Sequence, residues 1–317
     1  MIDSQQKLPN YYSDAIDLRE LFHLFWAGKW LIAGVTFAMA ILAVVVTLLM
    51  PNIYKAEALL APNDREGSSG LSSLAAQYGG LASLAGIQFS REAADKTALG
   101  LEVLESRKFI SEFIERRDIL VPLMAAEDWD AESGELRINP KVYDLATHEW
   151  MRDVRPPRQA NPSYQEAYAE FMKILSVNQD RASGLVTVSI EHYSPIVAKQ
   201  WVDWLVEDIN SSIMQQDVAE AEQAIEYLYE QIESTSLAGL QMVFFELIEE
   251  QTKTVMLAKV STEYLLKTLD PAVVPEQKAK PNRSLMVVLA AMLGGFLGVF
   301  AQLVRHSIVS ATEKSAG

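Results

Sequence analysis

Two uncharged stretches dominate the hydrophobic pattern of this chain. Residues 30–50 and residues 284–304 contain no charged side chain. About 20 apolar residues, at roughly 1.5 Å of helical rise each, cross the roughly 30 Å hydrocarbon core of a bilayer. Both stretches therefore predict transmembrane helices. They leave an amino-terminal tail over 1–29, a large domain over 51–283 and a carboxy-terminal tail over 305–317.

Each predicted span has a simpler alternative. The first could be a signal peptide, since Ala56-Glu57-Ala58 resembles a cleavage site, but acidic residues precede it and it exceeds the usual 7 to 15 apolar residues. The second could be the core helix of a soluble protein, but it lacks the polar face of such a helix. The pattern favours two spans.

The domain between the spans mixes strand and helix signals. Residues 53–60 predict a strand, and residues 174–178 and 185–191 predict a β-hairpin because apolar and polar residues alternate around a turn. Helical spacing runs over 93–117 and again after Pro162. The apolar stripe of the first helical stretch consists of Leu101, Leu104, Ile110, Phe113 and Ile114.

Two stretches of the domain carry loop signals. Residues 63–86 are rich in Gly, Ser and Ala and predict a weakly helical loop, with a subunit or membrane-surface contact as the alternative. Residues 118–162 contain several prolines and are predicted to be mostly loop.

A long proline-free stretch follows these elements. Ser194 and Pro195 form a helix start, and the next proline is Pro271. One continuous helix over this stretch would reach roughly 110 Å. A turn at 234–239 would instead give a hairpin of two helices. Residues 195–262 are therefore predicted to form a long helical extension, either as one helix or as a hairpin. A last strand is predicted over 264–269. The apolar positions assigned to the hairpin seam and to oligomer contacts are Ile225, Leu228, Ile232, Leu240, Val243 and Leu247, with Ile248 in the same seam.

The approach to the second span carries its own pattern. Pro271, Pro275 and Pro281 precede Arg283, and prolines favour an extended, semi-rigid chain. Gly294, Gly295 and Gly298 lie within the span, and a G-x-x-x-G spacing leaves a smooth face on which another helix can pack.

Composition narrows the chemistry. The 317 residues carry a formal charge of -15 and no cysteine, which excludes disulfides and thiolate metal sites, and the acidity argues against nucleic-acid binding. Residues 51–283 hold 22 basic and 37 acidic residues, so this domain is not expected to adhere to anionic lipid head groups. The four histidines lack the spacing of a zinc site, and no phosphate-binding loop occurs.

The sharpest candidate for chemistry is the pair Asp128 and Asp130 with Glu132. Such a pair could hold a divalent cation for glycosyl transfer or begin a calcium loop, but Ser133 stands where a calcium loop needs glycine. A solvated acidic turn is the better interpretation. We therefore predict no catalytic residue, no cofactor and no metal.

Several segments together resemble one family. They are Ile16-Asp17-Leu18 and Trp26 to Trp30 before the first span, Tyr54 to Ala58 after it, residues 80–86, residues 184–192, and the proline series with the glycines. On these residues the chain resembles the polysaccharide co-polymerases, in particular Wzz-type chain-length determinants of the short form without a fused kinase.

The resemblance implies a bacterial inner-membrane protein with both tails cytoplasmic, an orientation that the lysine and arginine counts favour only slightly. It implies a periplasmic α+β domain with a small mixed sheet at its base and long projecting helices. The function implied is that of a non-enzymatic homo-oligomer that regulates the chain length of O-antigen lipopolysaccharide. Its partners would be an integral-membrane polymerase, contacted through Gly294, Gly295 and Gly298, the lipid-linked polysaccharide and the bilayer.

Two alternatives remain open at this point. One is a capsule or exopolysaccharide co-polymerase that works with a separate tyrosine kinase. The other is a periplasmic sensor, which would need a partner at one of the tails because the carboxy-terminal tail, over 305–317, is short.

Overall fold

The computed structural model describes residues 26, 28–63 and 89–315, with side chains described at 26, 28–63 and 96–305. The chain forms two compact units, one made of residues 1–50 and 281–317 and the other of residues 51–280. Of the predicted tail over 1–29 only residues 26, 28 and 29 are described, and of the predicted Gly-rich loop over 63–86 only residue 63. The other predictions for these two segments lie outside the described residues.

The first unit contains two long apolar helices, α1 (Lys29–Leu49) and α8 (Arg283–Ser315). Both are long and apolar enough to cross a membrane, and only 6% and 11% of their most apolar windows are buried. A core helix of a soluble protein would be mostly buried, so the second span is not one. Helix α8 continues past residue 304, the predicted end of the span.

The second unit is built on a four-stranded sheet in the order β6 (Leu175–Gln179), β7 (Val186–His192), β1 (Tyr54–Pro62) and β8 (Leu266–Asp270). All three strand pairs are antiparallel, so the expectation of a mixed sheet is wrong. The reason is that β6 and β7 form a tight hairpin, and β8 enters at the end where β1 finishes. The predicted α+β class with two flanking spans is confirmed.

Four helices supply the core against this sheet. They are α2 (Phe89–Leu104), α3 (Arg107–Arg116), α5 (Tyr164–Ile174) and the first half of α6 (Pro195–Ser234). The stretch predicted as one helix over 93–117 is two, because the Ser106 hydroxyl accepts a hydrogen bond from the Phe109 amide and starts a new helix. Except for half-buried Leu101, the residues of the predicted stripe are buried.

The region predicted as loop over 118–162 holds short elements. They are the single-turn helix α4 (Leu120–Met124) and two small hairpins, one of β2 (Ala126–Trp129) with β3 (Leu136–Ile138) and one of β4 (Tyr143–Asp144) with β5 (Glu149–Trp150). Strands of two to four residues leave too little alternation to be detected in the sequence.

The long proline-free stretch is a helical hairpin. Helix α6 has 40 residues, about 60 Å at the usual rise, and after a turn at 235–237 the chain returns through α7 (Ala238–Val260). Of the two alternatives that the sequence left open, the structure shows the hairpin, with its turn inside the 234–239 segment.

The two ends of the sheet differ. At one end, which we call the span end, Ile53 forms an isolated bridge with Lys280, and both connections to the spans leave from these residues. At the other, the hairpin end, Pro62 pairs with Leu266, and α6 and α7 extend beyond it. The sheet therefore separates the membrane connections from the helical hairpin.

Candidate functional site

The glycines of the second span pack against the first span of the same chain. A Cβ atom added to Gly298 would lie 2.9 Å from the Ile32 Cα, and one added to Gly294 would lie 3.0 Å from the Thr36 Cα. Gly28 meets the Gln302 side chain in the same way. The contacts recur every four residues along both helices, which brings the two backbones together in an antiparallel pair.

This packing bears on the predicted polymerase contact. Gly294 and Gly298 are buried against α1, and Gly295 faces the Thr36 hydroxyl, with 3.8 Å between that oxygen and an added Cβ. While the two spans are paired, the face of α8 opposite these glycines is the one open to another protein. A contact between these three residues and a polymerase stays a prediction.

The seam of the helical hairpin is only partly the predicted one. On α6, Ile225, Leu228 and Ile232 are half-buried and Ala221 is buried, whereas on α7 the buried residues are Ile248 and Ala258. The predicted seam positions Leu240, Val243 and Leu247 are 44%, 48% and 40% exposed, so their assignment to the seam is wrong. The first half of α7 is apolar on nearly every face, and the sequence therefore gave no basis for choosing the packed one.

Helix α7 consequently presents a large apolar surface. Eight large apolar side chains on it are at least 40% exposed. They are Leu240, Met242, Val243, Phe245, Leu247, Met256, Leu257 and Val260, and we call them the α7 apolar face. The adjacent half of α6 is strongly acidic, with Asp217, Glu220, Glu222, Glu226, Glu230 and Glu233 and no basic residue.

The proline-rich lead runs from the last strand to the second span. Pro271 is exposed and Pro275 is half-buried, while Ala272 between them is buried. The lead is held at its end by the Ile53 backbone, whose N–H donates to the Lys280 carbonyl at 3.0 Å. Pro281 and Arg283 follow directly and begin the other unit. The predicted role of the lead in setting the approach to the membrane stays a prediction.

Asn210 joins the long helix to the return strand and was not anticipated from the sequence. Its buried amide donates to the carbonyls of Val206 and Leu266 at 3.0 Å, and its Oδ1 accepts from the amides of Leu265 and Leu266 at 2.7 and 2.9 Å. The sequence did contain a signal for this role, because Asn210 is a polar residue placed between Ile209 and Ile213 on a buried helix face, where a side chain must find hydrogen-bond partners.

We call the four-stranded sheet and the helices packed on it the base of the second unit. A second polar cluster lies where the helical hairpin leaves this base. The Tyr264 hydroxyl donates to Asp217 Oδ2 at 2.7 Å, and the Lys96 ammonium lies 2.7 Å from the same oxygen. Burial and the bond to Asp217 raise the pKa of Tyr264 to about 12. The cluster ties α2, α6 and the segment before β8 together, so the hairpin is anchored on two sides.

The Asp128 and Asp130 pair belongs to a hairpin turn. Asp130 accepts hydrogen bonds from the Glu132 amide at 2.9 Å and the Ser133 hydroxyl at 3.0 Å, which lowers the pKa of this carboxyl. Asp128 faces Arg137 at 3.7 Å. Among the described residues, no three acidic or histidine side chains gather closely enough to hold a metal ion.

The same turn occurs a second time. Asp180 accepts from the Ala182 and Ser183 amides, and Gly184 has the left-handed φ of 73° that Gly134 shows at 72°. Both turns have the sequence Asp-x-x-Ser-Gly. Asp130 and Asp180 accept the hydrogen bonds that hold the two turns together, and this structural role accounts for the acidic residues around Asp130.

His192 is the one deeply buried histidine in the described part of the chain. Its Nδ1 accepts from the Ser194 amide at 3.1 Å, so Nε2 carries the proton and donates to the Pro122 carbonyl at 3.2 Å. Burial lowers the pKa of His192 to about 4. A neutral histidine packed beside Trp201, 4.9 Å between ring centroids, is a structural group.

Two known protein families match parts of this sequence. A family model described as "Chain length determinant protein" matches residues 14–116, and one described as "G-rich domain on putative tyrosine kinase" matches residues 240–307. Between them these matches take in both spans, the first strand of the sheet and the return arm of the hairpin. The chain belongs to the polysaccharide co-polymerase family.

Solved structures related to this co-polymerase are remote in sequence. One, a full-length bacterial polysaccharide co-polymerase, is 14% identical with a TM-score of 0.39, and the match covers 93% of this chain and 99% of that chain. Another, a fragment of WzzB from Salmonella Typhimurium, is 12% identical with a TM-score of 0.30 and covers 72% and 100%. No curated protein matches the sequence. Members of the family are in general regulatory scaffolds that form oligomers and work with polymerases.

Proposed function

We propose that this co-polymerase is a non-enzymatic scaffold that assembles into a homo-oligomer and regulates the length of a surface polysaccharide made by a membrane polymerase. The observation that carries the proposal is the α7 apolar face. A helix that is apolar around its circumference is normally buried. In α7 the first eleven residues contain a single charge, at Glu246, yet Ile248 is the only one of them that the chain buries.

A second copy of the chain is the partner that this face fits best. Exposed apolar patches of this kind mark interaction surfaces. In the hairpin the patch lies beside the acidic half of α6, and the acidic halves of two copies would repel each other if they were brought into contact. Packing the apolar face of one copy against the next would cover it and leave the acidic faces in water. The anchoring of the hairpin by Asn210 and Tyr264 favours a fixed direction for this contact.

The proposal places the protein in the bacterial inner membrane, with both tails in the cytoplasm and residues 51–283 in the periplasm. The polymerase would bind the paired spans. Since Gly294 and Gly298 contact α1, the polymerase would meet the opposite face of α8 while the spans stay paired. The lipid-linked polymer would lie at the same membrane surface.

The assembly step is tested with a double variant, Val243→Asp with Phe245→Asp. Both side chains are about half exposed, so the fold of one copy should tolerate the change, whereas two carboxylates should prevent apolar packing between copies. Mass measurement in nanodiscs should show several copies for the natural chain and one copy for the variant. The matched control is Gln223→Asp on the exposed side of α6, which should leave the assembly intact. An unchanged copy number in the double variant would overturn the assembly surface.

The function is tested by deleting the gene and restoring it with either form. The natural chain should restore a modal polymer length and the double variant should give an unregulated distribution. A polymer distribution that is the same with and without the gene would exclude length regulation.

A capsule or exopolysaccharide is the second candidate for the polymer. The match over 240–307 to a domain described on a putative tyrosine kinase favours it over O-antigen. Loss of secreted polymer with intact lipopolysaccharide banding would support a capsule-type polymer and a separate kinase. Loss of modal lipopolysaccharide banding alone would support O-antigen.

A further inference from the structure

The projecting half of α6 leaves the core of the base directly after Ile213. The next buried residue of this fully described helix is Ala221, and residues 214–234 form an arm of roughly 30 Å. A rotation of about 10° at the root of an arm of that length would move its far end by about 5 Å. The contacts at the root therefore decide where the α7 apolar face lies, because α7 returns along the same arm.

The first contact at the root, Asn210, belongs to the fold of the base. Its Oδ1 accepts from the Leu266 amide at 2.9 Å and its Nδ2 donates to the Leu266 carbonyl at 3.0 Å. Two residues further along β8, the Thr268 amide donates to Glu263 Oε1 at 2.9 Å. These side chains take the place of a further strand beside β8. Removing Asn210 would leave buried backbone groups unpaired, so its loss would affect folding before direction.

The second contact lies within the arm, at Asp217, one turn beyond Ile213. Its Oδ2 accepts from the Tyr264 hydroxyl at 2.7 Å and lies 2.7 Å from the Lys96 ammonium, which is also 4.8 Å from the centre of the Tyr264 ring. The side chains of Lys96 and Asp217 are 33% and 22% exposed. Three side chains from three segments thus meet at one carboxylate oxygen near the surface of the base.

Both partners of Asp217 are fixed to the base. Tyr264 directly precedes Leu265, which is 4% exposed. Lys96 lies on α2, where a Cβ atom added to Gly100 would lie 2.3 Å from the Leu265 side chain, so α2 packs closely on the same segment. If the arm rotated, neither partner could follow it. The contacts of Asp217 therefore resist rotation of the arm.

The other ion pair described for the arm has a different role. Lys259 on α7 lies 3.4 Å from Glu222 on α6, so this pair joins the two helices of the hairpin to each other. Among the described residues of the arm, Asp217 is the one whose carboxylate is paired with a cation of the base.

We infer that Lys96, Asp217 and Tyr264 are positioning residues that set the direction in which the helical hairpin leaves the base. In a closed symmetric assembly the rotation between neighbouring copies fixes their number. The direction of the hairpin, and with it the α7 apolar face, would then determine how many copies assemble. This second part rests on the proposed function, whereas the direction of the arm within one copy does not.

The direction of the arm is measured as a distance between two spin labels. The chain has no cysteine, so Asn178→Cys on β6 and Ser236→Cys in the turn of the hairpin, both at exposed positions, take one label each. The full-length protein is placed in nanodiscs with an excess of unlabelled chain of the same variant, so that distances within one copy dominate. The otherwise natural chain should give one narrow distribution of distances.

Charge reversal then tests the cluster. Lys96→Asp places a second carboxylate beside Asp217 and should broaden the distribution, on the order of 5 Å for rotations of about 10°. Lys96→Asp combined with Asp217→Lys restores opposite charges and should make the distribution narrow again. The matched control is Lys108→Asp, an exposed lysine on α3, which should leave the distribution unchanged.

Two results would overturn the positioning role. One is a distribution for Lys96→Asp that is as narrow as that of the natural chain. The other is a distribution that stays broad in the exchanged pair, because the broadening would then not come from the lost ion pair. If circular dichroism shows that Lys96→Asp does not fold, Tyr264→Phe removes one hydrogen bond to Asp217 and should broaden the distribution less. An unchanged distribution for Tyr264→Phe would exclude its hydroxyl from the role.

Mass measurement of the same nanodiscs separates this inference from the proposed function. Lys96→Asp should give a changed or mixed copy number, and the exchanged pair should restore the natural one. An unchanged copy number with a displaced arm would overturn the link between arm direction and copy number. A natural chain that occurs as one copy would overturn the proposed assembly, while the distances would still decide the positioning role.

Discussion

The two halves of helix α6 lie in opposite environments. In residues 195–213 most turns bury side chains against the sheet, whereas in residues 214–234 the chain buries Ala221 alone. The buried residues of the first half are Pro195, Ala198, Trp201, Val202, Leu205, Asp208, Ile209, Asn210 and Ile213. One continuous helix is thus a core element of the base and, further on, a projecting arm whose other faces are left to a partner.

Polar contacts follow the same division. In the base, Arg117 donates to Asp208 at 2.6 Å and to Glu207 at 2.7 Å, and the first of these bonds raises the pKa of Arg117. In the hairpin, the described ion pair between the two arms joins Lys259 to Glu222 at 3.4 Å, with both side chains more than half exposed. Exposed pairs contribute little. The base should therefore hold most of the folding free energy, and the hairpin should depend on assembly.

The largest expected effect is in the base half of α6. Trp201 is 2% exposed and lies between Phe171 and His192, so Trp201→Ala should lower the free energy of unfolding by about 3–5 kcal/mol. Tyr227→Ala on the projecting half, 61% exposed, should change it by less than about 0.5 kcal/mol. Denaturant unfolding followed by circular dichroism measures both. Similar losses for the two variants would contradict the division of the helix.

The next effect depends on pH and also belongs to the base. His192 has a pKa of about 4 when folded and about 6.5 when unfolded, so between these values the unfolded chain binds a proton that the folded chain does not. Its contribution is complete above pH 6.5 and is lost as the pH falls, by about 3 kcal/mol once the pH is below 4. His192→Gln should remove this part of the pH dependence. If the free energies of unfolding of the natural protein and of His192→Gln changed with pH in the same way across this range, the result would contradict the prediction.

A smaller pair of effects compares glycines in the two regions. Gly184 has a φ of 73°, so Gly184→Ala should cost about 1–2 kcal/mol through the left-handed backbone alone, since no atom lies near the new methyl group. Gly239 in α7 also has open space around it, but its backbone is helical, and Gly239→Ala should stabilise the protein by up to about 1 kcal/mol. Thermal unfolding gives the sign of each, and equal signs would contradict this explanation.

The smallest expected effect on folding is on the α7 apolar face. Met242 is 68% exposed, so Met242→Ser should change the free energy of unfolding of one copy by less than about 0.5 kcal/mol. The same variant should weaken self-association, because it removes apolar surface from the proposed contact. Unfolding at a concentration where the protein is monomeric, compared with sedimentation at high concentration, separates the two quantities. A large loss of monomer stability would show that the face is packed within the chain.

The sequence by itself determined the features that depend on local pattern. The uncharged runs at 30–50 and 284–304 gave the helices that can span a membrane, because length and hydrophobicity suffice for that assignment. The alternation around Val188 gave the β6–β7 hairpin, and Ser194 with Pro195 gave the start of α6. The weak helix segment at 234–239 gave the position of a turn, whereas the choice between one helix and two arms came from the structure.

The tertiary structure decided what depends on residues distant in the chain. It placed β8 antiparallel to β1, paired Gly298 with Ile32, and left Leu240, Val243 and Leu247 outside the seam. A G-x-x-x-G pattern indicates that some helix packs closely but does not identify it, and a helix that is apolar on all faces does not reveal which face is buried. Such choices follow from contacts between distant segments, and the local pattern of either segment does not contain them.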